Sequence, residues 1–176
     1  GKGIVNAAAT LVEPDMSIIT DSRAIREKQK EVLQEILDHH DRDCRHCNRT
    51  GNCELQDIQH SLRMTKNPAK EAFASVPIRT DSIIVRDDNK CVRCGRCVAA
   101  CENLQGIGAI RMEGEGLTAH VVPSKGDSLI ESGCVGCGQC ITVCPVGALH
   151  VRDDVAEVTA ALKDPEKYVV IQAGPS

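Results

Sequence analysis

Two stretches decide how this chain is read: CVRCGRCVAAC at residues 91–101 and CVGCGQCITVC at residues 134–144. They align without a gap, and each carries the C-x2-C-x2-C-x3-C spacing that wraps a cubane iron–sulfur cluster. A tight C-x2-C-x2-C loop directs three sulfurs and several backbone N–H groups at one cluster. The fourth cysteine of the run cannot reach the same iron core and ligates the other one. One [4Fe-4S] cluster is therefore assigned to Cys91, Cys94, Cys97 and Cys144, and a second to Cys134, Cys137, Cys140 and Cys101. This crossover staples the two halves of the motif together.

Cys144 is followed by Pro145, as the bacterial two-cluster ferredoxin pattern requires. Cys101 is followed by Glu102, so the first run lacks the proline that turns the chain away after its fourth ligand. Structural zinc and disulfides are the bland alternatives. Zinc sites use two cysteine pairs separated by a longer loop rather than four cysteines within one short run. Cysteines two or three residues apart rarely meet disulfide geometry, and the chain shows no secretory apolar region at its start.

Three of the eleven cysteines remain, in HHDRDCRHCNRTGNC at residues 39–53. The pattern H-x3-C-x2-C-x5-C completes a third four-ligand site if His40 joins Cys44, Cys47 and Cys53, and no cysteine is then left over. His39 and His46 are rivals for that place. An imidazole in place of a thiolate removes one negative charge from the cluster shell and raises its reduction potential. His60, His120 and His150 have no such partners and read as surface or packing residues.

Composition agrees with a metal-dependent fold. The 176 residues contain one phenylalanine, Phe73, one tyrosine, Tyr168, and no tryptophan, so the usual large core fillers are missing. Clusters supply the cohesion, because binding free energy at a site absent from the unfolded chain is folding free energy. Eleven thiolates and three doubly positive cubane cores take the formal charge of −4 to about −9. Nucleic acid is excluded as a partner on that charge. So many thiolates imply a reducing compartment, and no run of eighteen apolar residues is present, which together predict a cytoplasmic protein without a membrane span.

Organisation follows the cysteine groups. Ile4-Val5 and Ser17-Ile18-Ile19-Thr20, separated by Glu13-Pro14-Asp15, predict two strands and a turn. From Asp21 or Ser22 as N-cap, Ile25, Val32, Leu33, Ile36 and Leu37 recur at helical spacing toward His40. Leu55, Ile58 and Leu62 predict a shorter helix after Cys53. Pro68 and Pro77 mark a connector. Ser82-Ile83-Ile84-Val85 and Leu149-His150-Val151 read as strands, with short helices after Cys97 and Cys140 and a glycine-punctuated hairpin between the runs. Val155, Val158 and Leu162 mark a helix opened by Asp153 or Asp154 and stopped at Asp164-Pro165. Tyr168-Val169-Val170-Ile171-Gln172 predicts a buried strand that opens a further domain. The acidic pairs Asp87-Asp88 and Asp153-Asp154 read as solvated turns or caps, and no constellation for acid–base or hydrolytic catalysis is present. No strand–GxGxxG–helix unit suggests a phosphate site.

The succession of the one-histidine, three-cysteine site with NCELQ, then CVRCGRCVAACENLQG, then CVGCGQCITVCPVGAL, resembles the accessory-cluster region of multi-subunit, NAD-linked [FeFe]-hydrogenases, and the ending RDDVAEVTAALKDPEKYVVIQAGPS is similar to the lead into their catalytic H-cluster domain. The same region without that ending occurs in the large cluster subunit of NADH dehydrogenase, in formate dehydrogenases and in diaphorase subunits. NAAATLVEPDM resembles the end of a plant-type [2Fe-2S] domain, with Ala8 where its last cysteine ligand would stand, so that cluster is incomplete here.

The resemblance implies an α+β fold in five parts. Residues 1–20 would end a degenerate β-grasp [2Fe-2S] domain, and 21–66 would form a small helical domain around the histidine-ligated cluster. Residues 67–80 would connect it to a two-cluster, bacterial-type ferredoxin-like domain at 81–152, and 153–176 would provide a linker helix and first strand. It further implies an oxidoreductase component relaying single electrons through three [4Fe-4S] clusters between a flavin/NAD(H)-binding subunit, with a small [2Fe-2S] subunit, and a hydrogen-activating site. A soluble ferredoxin is a further expected partner. A cluster subunit of an NADH or formate dehydrogenase, a zinc structural module and a redox sensor are the alternatives. A sensor keeps a spare cysteine, and this chain has none.

Overall fold

The computed structural model describes residues 3–64, 76–172 and 174, which fall into two compact units. Most of the expected connector, residues 67–75, lies outside the described residues, as do residues 65 and 66.

The first unit comprises residues up to Pro77, with Asp87–Cys94 and Pro145–Ala148. Neither early strand forms. Asn6 caps a 3-10 turn at Ala7–Ala9, a turn spans Pro14 and Asp15, and Ser17 to Thr20 run extended and exposed. Strands need partners for their backbone groups, and these two short runs pair with nothing among the described residues. Helix α1, Arg23–Asp38, is the amphipathic segment expected: the Ser22 hydroxyl accepts from the Ile25 N–H, and Leu33 and Leu37, one turn apart, are its buried positions. His39 caps the helix and His40 follows it. Helix α2, Glu54–Ser61, starts directly after Cys53 and buries Leu55.

A buried polar knot holds the segment preceding Cys91. Asp87, expected to be solvated, is only 3% exposed. It does cap the following 3-10 turn, as its side chain accepts from the Asn89 N–H, but it also pairs with Lys90 at 2.8 Å, and Lys90 reaches Asp41 at 3.2 Å. Burial pushes the Asp87 carboxyl up, yet hydrogen bonds from Lys90 and Asn89 outweigh it and hold the group below the usual carboxylate value. Asn89 is buried as well. Its side-chain amide exchanges hydrogen bonds of 2.8 Å with the backbone of Val76, and its backbone carbonyl accepts from the Asp41 N–H at 2.8 Å. The residue after His40 is thereby tied to the residues just before Cys91.

The second unit comprises Ile78–Arg86, Gly95–Cys144 and Leu149–Ser176. Strand β1, Ile84–Arg86, begins two residues later than predicted; Ser82 instead makes a local turn, its hydroxyl accepting from the Ile84 N–H and donating to the Ile84 carbonyl. Helix α3, Arg96–Ala99, continues as a π turn over Ala100–Leu104, followed by β2, Ile110–Glu113, and β3, His120–Pro123. Helix α4, Gln139–Thr142, leads to β4, Leu149–Val151. Both short helices start one residue before Cys97 and Cys140 rather than after them, each launched from a glycine in the left-handed region, Gly95 at φ +72° and Gly138 at φ +76°. The strands pair antiparallel as β1–β4, with Arg86 opposite Leu149, and as the β2–β3 hairpin.

The chain thus repeats strand–cysteine loop–helix–strand in reverse order of pairing, the outer strands together and the inner strands together. After Cys101 the chain continues as the π turn through Glu102, where the second run instead ends its helix and meets Pro145. Helix α5, Val155–Lys163, lies between Asp154 and Asp164 as expected. The final strand does not form: Tyr168 is 95% and Ile171 92% exposed.

Candidate metal centres

In the second unit the fourth cysteine of the first run meets the first three of the second. Cys101, Cys134, Cys137 and Cys140 line one hollow of about 440 Å³ that is partly open to solvent, walled mainly by Ile84, Ile107, Ile110, Leu129 and Leu149. Among the described residues, no three His, Cys, Asp or Glu side chains converge closely enough to hold a single metal ion. The π turn serves this arrangement. Its departure from α geometry lets the Cys101 carbonyl accept N–H groups from both Ile107 and Gly108 while its sulfur accepts the Ala109 N–H at 3.3 Å. Burial, reinforced by the neighbouring Cys134, Cys101 and Cys137 sulfurs, pushes the Cys140 thiol up to about 11. Iron must displace that proton, and the donor set of four soft sulfurs in an apolar wall fits a cluster able to do so.

In the first unit, the 3-10 turn Cys44–His46 and α2 bracket the loop carrying Cys44, Cys47 and Cys53. The Thr50 hydroxyl donates to the Cys44 carbonyl, the Thr50 N–H to the Cys47 carbonyl at 3.1 Å, and the Gly51 N–H to the Gln56 side chain at 3.3 Å. These bonds fix the five residues between Cys47 and Cys53. The three candidate histidines differ sharply. His39 Nδ1 is bonded to the Glu35 carbonyl and His46 Nδ1 to the Asp43 carboxylate, both on the exposed side. His40 is half-buried, with its Nδ1 atom fully buried and lacking a partner and the ring hydrogen-bonded to the Lys90 backbone. Burial lowers its pKa, so the ring is neutral at neutral pH with a lone pair to donate.

The remaining quartet is divided between the units: Cys91 and Cys94 lie in the first, Cys97 and Cys144 in the second. The Cys91 sulfur accepts the Arg93 N–H at 3.4 Å, with Arg93 at φ +58°, and Cys144 is buried.

Gly147 is a site residue the sequence did not single out. A Cβ there would stand 2.5 Å from the Cys47 sulfur and 2.8 Å from the Asn48 side-chain oxygen. The backbone is held in place: the Glu54 N–H donates to the Pro145 carbonyl at 3.1 Å and the Asp87 N–H to the Ala148 carbonyl at 2.9 Å. Gly147→Ala is therefore expected to cost about 1–3 kcal/mol by overpacking and to displace Cys47. The measurement is the visible and EPR spectrum of the loaded protein, and an unchanged spectrum and thermal midpoint would refute the close approach.

Two family models match parts of the chain. One for a 4Fe-4S dicluster domain matches residues 90–148, and one for the NADH-ubiquinone oxidoreductase-G iron–sulfur binding region matches residues 29–68. These are iron–sulfur binding segments of the kind found in an NADP-reducing hydrogenase subunit and in NADH and formate dehydrogenase relatives.

Among individual proteins, it is 33% identical over 177 residues to an NADP-reducing hydrogenase subunit of Solidesulfovibrio fructosivorans, covering 99% of this chain and 30% of the relative. It is 36% identical over 181 residues to iron hydrogenase 1 of Clostridium pasteurianum, covering 100% of this chain and 31% of that protein. A component of the NADH-quinone oxidoreductase of Rhizobium meliloti is 34% identical, over 81% of this chain and 17% of its own length. The chain thus spans less than a third of each of these relatives. The fold matches that in a crystal structure of an NAD+-reducing [NiFe]-hydrogenase, with a TM-score of 0.72, 22% identity, and coverage of 80% of this chain and 61% of that one. No helix among the described residues is long and apolar enough to cross a membrane.

Proposed function

We propose that this chain relays single electrons through three [4Fe-4S] clusters between a flavin/NAD(H)-binding subunit and the hydrogen-activating site of an [FeFe]-hydrogenase, with Cys101, Cys134, Cys137 and Cys140 holding one, Cys91, Cys94, Cys97 and Cys144 the next, and His40, Cys44, Cys47 and Cys53 the third. The observation carrying the ligand sets is the second-unit hollow, where one cysteine from the first run stands with three from the second. What favours hydrogenase over the dehydrogenase subunits is extent: the similarity to two hydrogenase proteins runs over 99–100% of the chain, against 81–83% for the NADH and formate dehydrogenase relatives.

When bound, each cubane supplies one-electron chemistry between two oxidation states without ligand exchange. The residues do the rest. Cysteine sulfurs would hold the iron, the Ala109 and Arg93 N–H groups donate to the Cys101 and Cys91 sulfurs and would favour the added negative charge, and the hollow around Cys101 has a mainly apolar wall. His40 is the histidine ligand on this reading because His39 and His46 have their Nδ1 atoms engaged elsewhere while that of His40 is buried without a partner.

The test is iron and acid-labile sulfide analysis with EPR of the reduced protein during a potential titration. About twelve irons per chain and three cubane signals are expected, with one signal moving to lower potential in His40→Cys and disappearing in His40→Ala. Changes seen instead in His39→Ala or His46→Ala would transfer the ligand role.

A further inference from the structure

We propose that Arg86 sets the reduction potential of the cluster held by Cys101, Cys134, Cys137 and Cys140, acting as a fixed positive charge in the wall of that site. The inference rests on the reading that these four cysteines hold a cubane.

Arg86 ends β1, in a position where a charged side chain is unexpected: it is 3% exposed and lines the same hollow as the four cysteines. Cysteines aside, it is the sole ionisable residue of that lining among the described residues. Its backbone is fixed on both sides, paired with Leu149 of β4 and bridged to Arg79 by two hydrogen bonds of 2.9 Å. Its Nη2 donates to the Val121 carbonyl on β3, so the guanidinium has a defined place. A guanidinium stays charged at any working pH.

Four thiolates around a doubly positive core would carry about −2 when oxidised and −3 when reduced. Because the cation interacts more strongly with the more negative form, it favours the reduced state and raises the potential. Burial of Arg86 deepens the effect, since water screens a buried charge less than a surface one. The Ala109 N–H on the Cys101 sulfur acts in the same direction but is a backbone group common to any side chain at that position. Arg86 is a positioning and tuning residue: it need not touch iron to act.

The experiment is an EPR-monitored potential titration of the loaded protein in its native complex, with Arg86→Gln and Arg86→Lys beside the wild type. In Arg86→Gln one midpoint is expected to move negative while the other two stay. Arg86→Lys, which keeps the charge, should remain near the wild-type value. Three unchanged midpoints in a fully loaded Arg86→Gln protein overturn the proposal, and so does an equal shift in both variants. Should Arg86→Gln fail to hold its cluster, Arg86→Lys decides: retention at the wild-type potential supports the role of charge, and loss in both variants reduces Arg86 to a structural part. The underlying ligand reading fails separately, if Cys101→Ala leaves the iron and sulfide content of the protein unaltered.

Discussion

Removing iron by anaerobic chelation is expected to abolish the cooperative thermal transition of this protein. The reason lies in what holds the units together. The second unit contains two separate two-stranded pairings, β1–β4 and β2–β3, and a two-stranded pair is marginal in water without more strands or a packed face. Its buried residues are small or branched aliphatics such as Val85, Ala109, Ile110 and Leu149. Of these, Ala109, Ile110 and Leu149 line the hollow that the four cysteines share. A cluster in that space would fill it and crosslink the π turn to α4 through sulfur. Without it, the same walls border a void and four thiols, one of them with its pKa pushed up to about 11. A circular-dichroism melt before and after chelation is the measurement. A sharp transition persisting in iron-free protein would show that side-chain packing alone suffices.

The second large effect is expected from Cys101→Ala. If Cys101 ligates with Cys134, Cys137 and Cys140, iron and sulfide should fall by about a third, from about twelve to about eight of each per chain. The signal sensitive to His40 should survive. The substitution also removes the acceptor of the Ala109 N–H, leaving a buried donor without its sulfur partner and adding about 1–3 kcal/mol of destabilisation. If ligation ran within each run instead of across them, Cys101→Ala and Cys97→Ala would extinguish the same signal. The crossover predicts that they extinguish different ones.

The cluster chemistry was legible because ligand spacing is a covalent property: three cysteines at i, i+3 and i+6 are brought to one loop whatever the rest of the chain does. The helix between Ser22 and His39 was legible for a similar reason, as periodicity and a capping hydroxyl act within one segment. Tertiary context defeated other readings. The strands expected at Ile4-Val5, Ser17 to Thr20 and Tyr168 to Gln172 rest on residue preference, and preference does not provide a partner for the backbone. Asp87 reads as solvated because its sequence neighbours are charged; Lys90, Asp41 and Asn89 close over it only once the chain has turned.

Arg86 and Gly147 carry weaker signals still. The arginine closes an uninterrupted apolar run, Ile83-Ile84-Val85, with no alternation to suggest that its side chain faces inward. The glycine follows Cys144-Pro145-Val146, where nothing local shows that the Cys47 sulfur will press against it.

The position of Tyr168 bears on how any of this is watched. It is the sole tyrosine of a chain without tryptophan, and its ring stands in solvent on an unpaired segment well after the last cysteine. Its fluorescence therefore reports the local freedom of the tail, and emission could remain constant while both units melt. Near-ultraviolet absorbance is equally poor as a measure of protein amount, since one phenol contributes little beside charge-transfer bands from iron. Concentrations for this molecule are best taken from amino-acid analysis or peptide-bond absorption.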